Sequence, residues 1–138
     1  MLFRKPEGRL CAVPGAAFHL FAGEETASVA FGAILGGLPA SALVSGAIEV
    51  ADERDRLPLP RAGELTWRYR AEADAASSGT LLAAVRDLDL PDGSGAAYLA
   101  GEAHTCQAIK RHLTADRGWP RRSVLVKPFW TPGKRGME

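Results

Sequence analysis

The chain has 138 residues, 46% hydrophobic and 24% charged, which is the composition of one globular domain and gives no reason to expect disorder. Its formal net charge of +1 hides an asymmetry: from Lys110 onward Lys110, Arg111, Arg117, Arg121, Arg122, Lys127, Lys134 and Arg135 face only Asp116 and Glu138, so the carboxyl-terminal end is basic and the remainder acidic. There is no long apolar run and no export signal, the basic residues lack interleaved aromatics, and Cys11 and Cys106 form no CxxC pair; the expectation is a cytoplasmic protein with no membrane span, no nucleic acid and no disulfide framework.

In chain order, residues 1–17 carry Pro6, Gly8, Pro14 and Gly15 with no periodicity and read as a lead-in to a single domain over 18–138. Phe18 to Ala22 is a short apolar run suited to a buried strand, and a helix is expected from about residue 25 to 37, stopped by Gly36-Gly37-Leu38-Pro39. Ala42 to Val50 reads as a second strand and Leu65 to Tyr69 as a third. The charged, proline-bearing connection between them has no helical pattern, which is unusual for a parallel crossover. Thr80 to about residue 89 carries Leu81, Leu82, Val85 and Leu88 on one helical face. A fourth strand runs through Ala97-Tyr98-Leu99 into a helix over about 103–117, and Ser123 to Lys127 is a fifth strand followed by a Pro-Phe-Trp-Thr-Pro-Gly tail. Strands alternating with helices predict a three-layer α/β domain with a five-stranded parallel sheet.

One grammar occurs twice. Phe21-Ala22-Gly23-Glu24-Glu25-Thr26 and Leu99-Ala100-Gly101-Glu102-Ala103 each carry a buried run through Ala-Gly-Glu into a helix. Matched turns of this kind suggest a crevice at the carboxyl edge of the sheet, where a glycine lets a ligand approach the backbone and a helix start offers N–H groups to an anion. Alternatively, each glycine only permits the turn, and Glu24, Glu25 and Glu102 only cap helices or complement their dipoles. His104 and His112 stand roughly 80° and roughly 12 Å apart on one helix and cannot share a metal ion unaided. With no HExxH, CxxC, P-loop, GxSxG or strict GxGxxG, no metal site and no hydrolase or kinase chemistry is expected. Arg54, Arg56, Arg68 and Arg70 follow the second and third strands, where an arginine can meet a 2′-phosphate or simply be exposed.

Taken together, Leu20-Phe-Ala-Gly-Glu-Glu-Thr-Ala, Ile48-Glu-Val with its Asp-rich sequel and Leu57-Pro-Leu-Pro, Leu99-Ala-Gly-Glu-Ala, the Arg111-His-Leu helix leading to Arg117-Gly, and Val124 through Phe129-Trp130 to Gly133 resemble the carboxyl-terminal NAD(P)H-binding half of siderophore-interacting proteins. These are bacterial ferric-siderophore reductases related to ferredoxin reductases. The resemblance implies the strand order 3-2-1-4-5, and a nicotinamide nucleotide site matching Gly23, Glu24, Glu25, Thr26, Gly101, Glu102 and Ala103, with Trp130 near a flavin. Phe129 stands for the family's usual tyrosine, and Lys127-Pro128 for a commoner Ser-Gly. The Arg-x-Tyr signature, followed by Ser or Thr, of the flavin-binding β-barrel that precedes this half in the family does not occur in these residues, and the expectation is a chain without that barrel. The resemblance therefore implies binding of NADPH or NADH, but not of FAD by this chain alone. Reduction of a ferric siderophore would need free flavin or a separate flavin-binding domain. The rival expectation is a non-catalytic module that binds a ferric chelate or a partner protein through its basic carboxyl-terminal end.

Overall fold

The computed structural model describes residues 16–52, 59–69, 80–90 and 95–130. Five strands, β1 (Phe18–Glu24), β2 (Leu43–Val50), β3 (Thr66–Tyr69), β4 (Gly95–Glu102) and β5 (Val124–Trp130), form one sheet in the order β3-β2-β1-β4-β5. Every neighbouring pair is parallel. This is the architecture expected from the sequence, in the strand order that the resemblance implies.

The central strands are apolar on both sides because both sides are covered. On one face Leu20, Ala22, Ala47, Ala97, Leu99 and Val124 meet Leu81, Ala84 and Val85 of α2 (Thr80–Arg86) and Cys106, Ile109 and Leu113 of α3 (Ala103–Arg111) and its continuation. On the other face Phe21, Ile48, Val50, Tyr98 and Ala100 meet Phe31, Ile34 and Leu35 of α1 (Ser28–Gly37), together with Leu59 and Leu65. The period-two alternation of each strand thus splits its side chains between two cores, and α1 lies across the sheet from α2 and α3.

The crossover from β2 to β3 is parallel, as the pairing of Ala47 with Thr66 through Val50 with Tyr69 shows. Its described end carries Leu59, Leu65 and a 3-10 turn over Ala62–Glu64. Arg61 secures this turn: it adopts the left-handed conformation (φ 58°), forms a two-pronged ion pair with Glu64 at 2.6 and 2.8 Å, and donates to the carbonyl of Ala42 at 2.6 Å. At the described end of this crossover, a buried pair of leucines and a fixed arginine hold the chain against the sheet.

Element ends differ from the sequence expectation by a few residues, with α2 ending at Arg86 rather than near residue 89. β1 and β4 run through Glu24 and Glu102, so the glycines lie inside the strands rather than at their ends. A 3-10 turn, Glu25–Ala27, precedes α1. The helix expected over about 103–117 is α3 followed by a π-helical turn, His112–Asp116, in which Arg117 N–H bonds to His112 O at 3.1 Å. β5 extends to Trp130, with its register shifting opposite Gly101 and Glu102.

Candidate functional site

Strands β1 and β4 are neighbours, yet the chain leaves them for opposite faces, to α1 on one side and α3 on the other. This is the topological switch point at which open α/β sheets bind ligands. The two Ala-Gly-Glu turns are thereby brought together: Gly23 pairs with Ala100, and the Glu24 side chain lies against Gly101.

Each glycine has a packing reason. A Cβ on Gly23 would lie 2.6 Å from the Ala100 carbonyl oxygen and 2.9 Å from both Ala27 Cβ and Phe31 Cε2, so only glycine lets α1 and its leading turn seat on the sheet. Gly101 has φ 126°, a conformation that side chains disfavour, and a Cβ there would meet the Glu24 carboxylate at 2.5 Å. The space beside both glycines is taken by protein atoms.

The two turns are not equivalent. Glu102, buried to 1% exposure, caps α3: its Oε2 accepts from His104 N–H at 2.7 Å and its Oε1 from Thr105 N–H at 2.8 Å and the Thr105 hydroxyl at 2.9 Å. His104 Nδ1 adds a contact at 3.0 Å. Burial pushes the Glu102 carboxyl up, but these hydrogen bonds and the His104 charge outweigh it and hold it below the usual carboxylate range. The leading amides of α3 are thus already engaged. Neither the Glu25–Ala27 turn nor α1 has a side-chain cap, and the exposed Thr26 donates its hydroxyl to Glu24.

Three carboxylates, Glu24, Glu49 and Glu102, are buried at this end of the sheet, with Glu24 and Glu49 directly opposite each other on β1 and β2. Glu49 escaped the sequence reading of the site: alternation marks it as core-facing only once both sheet faces are known to be covered. Cys106, Ile109 and Leu113 share the inner face of the α3 segment, and Cys106 has no cysteine partner among the described residues. It is buried beside this group, and burial followed by the charges of Glu102 and Glu24 pushes its thiol up to about 12. Among the described residues no group of three or more His, Cys, Asp or Glu is placed to hold a metal ion.

Of the residues picked from sequence, Gly23, Glu24, Glu25, Thr26, Gly101, Glu102 and Ala103 gather at the switch point. The backbone of Trp130 stands beside Glu102. Arg68 does not join them: it is exposed on edge strand β3, beyond β2, and donates to the neighbouring Trp67 carbonyl at 3.3 Å. Arg54, Arg56 and Arg70 lie outside the described residues. No described helix is long and apolar enough to cross a membrane.

A family model described as "Siderophore-interacting protein" matches residues 16–133. An uncharacterised protein of Mycobacterium tuberculosis is 34% identical over 94% of this chain and 50% of its own length. The ferric vibriobactin reductase ViuB of Vibrio cholerae is 26% identical over 94% of this chain and 48% of its own. Among solved structures, a siderophore utilization protein from T. fusca superposes with a TM-score of 0.78 at 31% identity, covering 92% of this chain and 49% of that one. The siderophore-interacting protein SipS of Aeromonas hydrophila shares the fold, with a TM-score of 0.71 at 24% identity over 87% of this chain and 48% of that one. The chain spans about half the length of the relatives it matches.

Proposed function

The chain belongs to the siderophore-interacting protein family, and from that premise we propose that it is the nicotinamide-nucleotide half of a ferric-siderophore reductase, binding NADPH or NADH at the β1/β4 edge. The observation that carries this reading is the switch point: two strand-to-helix turns side by side, their helices diverging to opposite faces. The residues fit a dinucleotide in an asymmetric way. The Glu25–Ala27 turn, with Thr26 exposed, would take its pyrophosphate, because the α3 amides are engaged by Glu102. Glu102 and Ala103 would line the opposite wall. Arg68, on the far edge strand, would reach at most the adenosine end.

A flavin, when supplied, divides the hydride's electron pair into the single electrons that ferric iron accepts, chemistry that side chains cannot provide. In this reading the chain binds and orients the nucleotide, and free flavin or a separate flavin-binding domain completes the reaction. The name of the Vibrio relative, ferric vibriobactin reductase, supports a ferric siderophore as the final acceptor. Calorimetric titration with NADPH, NADH and FAD tests the proposal. Saturable heat with a nicotinamide nucleotide and little with FAD is expected. No heat or thermal shift with either nicotinamide nucleotide at millimolar concentration would overturn it.

A further inference from the structure

The outer face of α3 and the 3-10 turn before β5 (Arg121–Ser123) enclose a half-open concavity of about 190 Å³, lined by Gln107, Lys110, Arg111, Thr114 and Arg121. Three of these five are cations and none is a carboxylate. The concavity lies on the second and third turns of the α3 segment and at the start of β5, away from the carboxyl edge where β1 and β4 end.

A further cation nearby, Arg117, has a structural task. Arg117 donates to His112 Nε2 at 3.1 Å and to the carbonyls of Arg86 at 3.1 Å and Leu88 at 3.3 Å, tying the π-helical turn to the end of α2. Lys110, Arg111 and Arg121 have no ion pair or hydrogen-bonded side-chain partner among the described residues. A helix dipole accounts for basic residues in the last turn of α3, but not for Arg121, which arrives from a separate turn and converges on the same hollow. The Thr114 hydroxyl is held by the Lys110 carbonyl at 2.9 Å, which fixes one wall.

We propose that this concavity is a binding site for a diphosphate group, distinct from the β1/β4 crevice. Two guanidinium forks match phosphate oxygens in a two-pronged way, the ammonium adds a mobile charge, and the Gln107 amide supplies a neutral donor. The hollow is too small for a whole dinucleotide and open enough for a diphosphate whose remaining substituent projects into solvent. The assignment does not depend on what binds at the other edge.

The test is a titration of isotope-labelled protein at physiological salt, followed by amide chemical shifts, with inorganic pyrophosphate, ADP and citrate as separate probes. Pyrophosphate should shift Gln107, Lys110, Arg111, Thr114 and Arg121 saturably. The double variant Arg111→Gln/Arg121→Gln should weaken it about tenfold or more, since charge-assisted hydrogen bonds are lost from exposed positions. The melting temperature and any NADPH affinity should remain unchanged. ADP binding at least as tightly on the same amides would assign the diphosphate to a nucleotide; pyrophosphate alone would assign it to free polyphosphate, and either supports the site. Shifts confined to residues 23–27 and 101–103, an unaltered affinity in the double variant, or citrate binding as tightly as pyrophosphate would overturn it.

Discussion

The Glu24 carboxylate fills the space that a side chain on Gly101 would need, with an added Cβ falling 2.5 Å from its Oε1. Gly101→Ala therefore combines an unfavourable φ with a clash and should cost about 1–3 kcal/mol. Gly23→Ala should cost at least as much, because its Cβ would strike the Ala100 carbonyl, backbone that cannot turn aside. Denaturant midpoints of the two variants check the order; a Gly23→Ala protein as stable as wild type would contradict it.

Glu102→Gln should weaken folding most at neutral pH. Its carboxyl is held below its ordinary value of 4.5, so between the lowered folded value and 4.5 the folded state binds fewer protons than the unfolded one. The stabilisation is complete above 4.5 and is lost as the pH falls through the lowered folded value. Wild type and Glu102→Gln should accordingly converge in stability in acid, as followed by urea unfolding across the range. The neutral-pH gap should be about 1–2 kcal/mol, the scale of a lost cap.

Cys106 should resist alkylation in the native protein at neutral pH and react once denaturant exposes it. Burial and the carboxylates beside it push its thiol up to about 12, leaving almost no thiolate to attack. Peptide mapping after iodoacetamide treatment, with and without denaturant, reads this directly.

His19 and Tyr98 form a buried pair on the α1 face, Nδ1 to hydroxyl at 2.7 Å, with the tyrosine ring stacked on Phe21. Tyr98→Phe leaves the imidazole without that partner and should cost about 1–3 kcal/mol, whereas the double change His19→Phe/Tyr98→Phe should recover part of the loss. Burial, and then the Arg61 charge, hold His19 below 6.5, so its neutral form favours the fold. Stability should decline as pH drops from 6.5 through the lowered folded value, and the double variant should lack that component.

Purified protein mixed with NADPH and a ferric siderophore should reduce no iron above background until free flavin or a flavin-binding domain is added. With flavin supplied, Trp130→Ala should change turnover more than NADPH affinity. Absorbance of the reduced iron chelate follows both; colourless protein that reduces the chelate unaided would contradict the division of labour.

The five strands could be read in the sequence because each is a short apolar run bounded by Gly, Pro or charge, and the repeated Ala-Gly-Glu marked the two turns that meet. Their adjacency came from the resemblance, since local patterning carries no information about which strands pair. The same gap hid the His19–Tyr98 pair, which exists only because Phe21 lies opposite Tyr98 in the β1–β4 register. The difference between the two turns was also invisible. Both read Ala-Gly-Glu, yet the second glutamate accepts from the leading amides of its helix, while the first makes no such cap, lies against Gly101 and accepts from the Thr26 hydroxyl. The lack of a helical pattern between β2 and β3, by contrast, was visible in the sequence, and at the described end of that crossover Leu59 and Leu65 supply apolar cover.

The outermost strands are unlike the three between them. β3 has only four residues, and β5 contains Pro128, which has no amide hydrogen to offer a further strand. Parallel sheets with long, regular margins invite other chains to add on and grow into aggregates. Here one margin is four described residues long and the other is interrupted by a proline, so neither offers an added strand a long, unbroken ladder of partners.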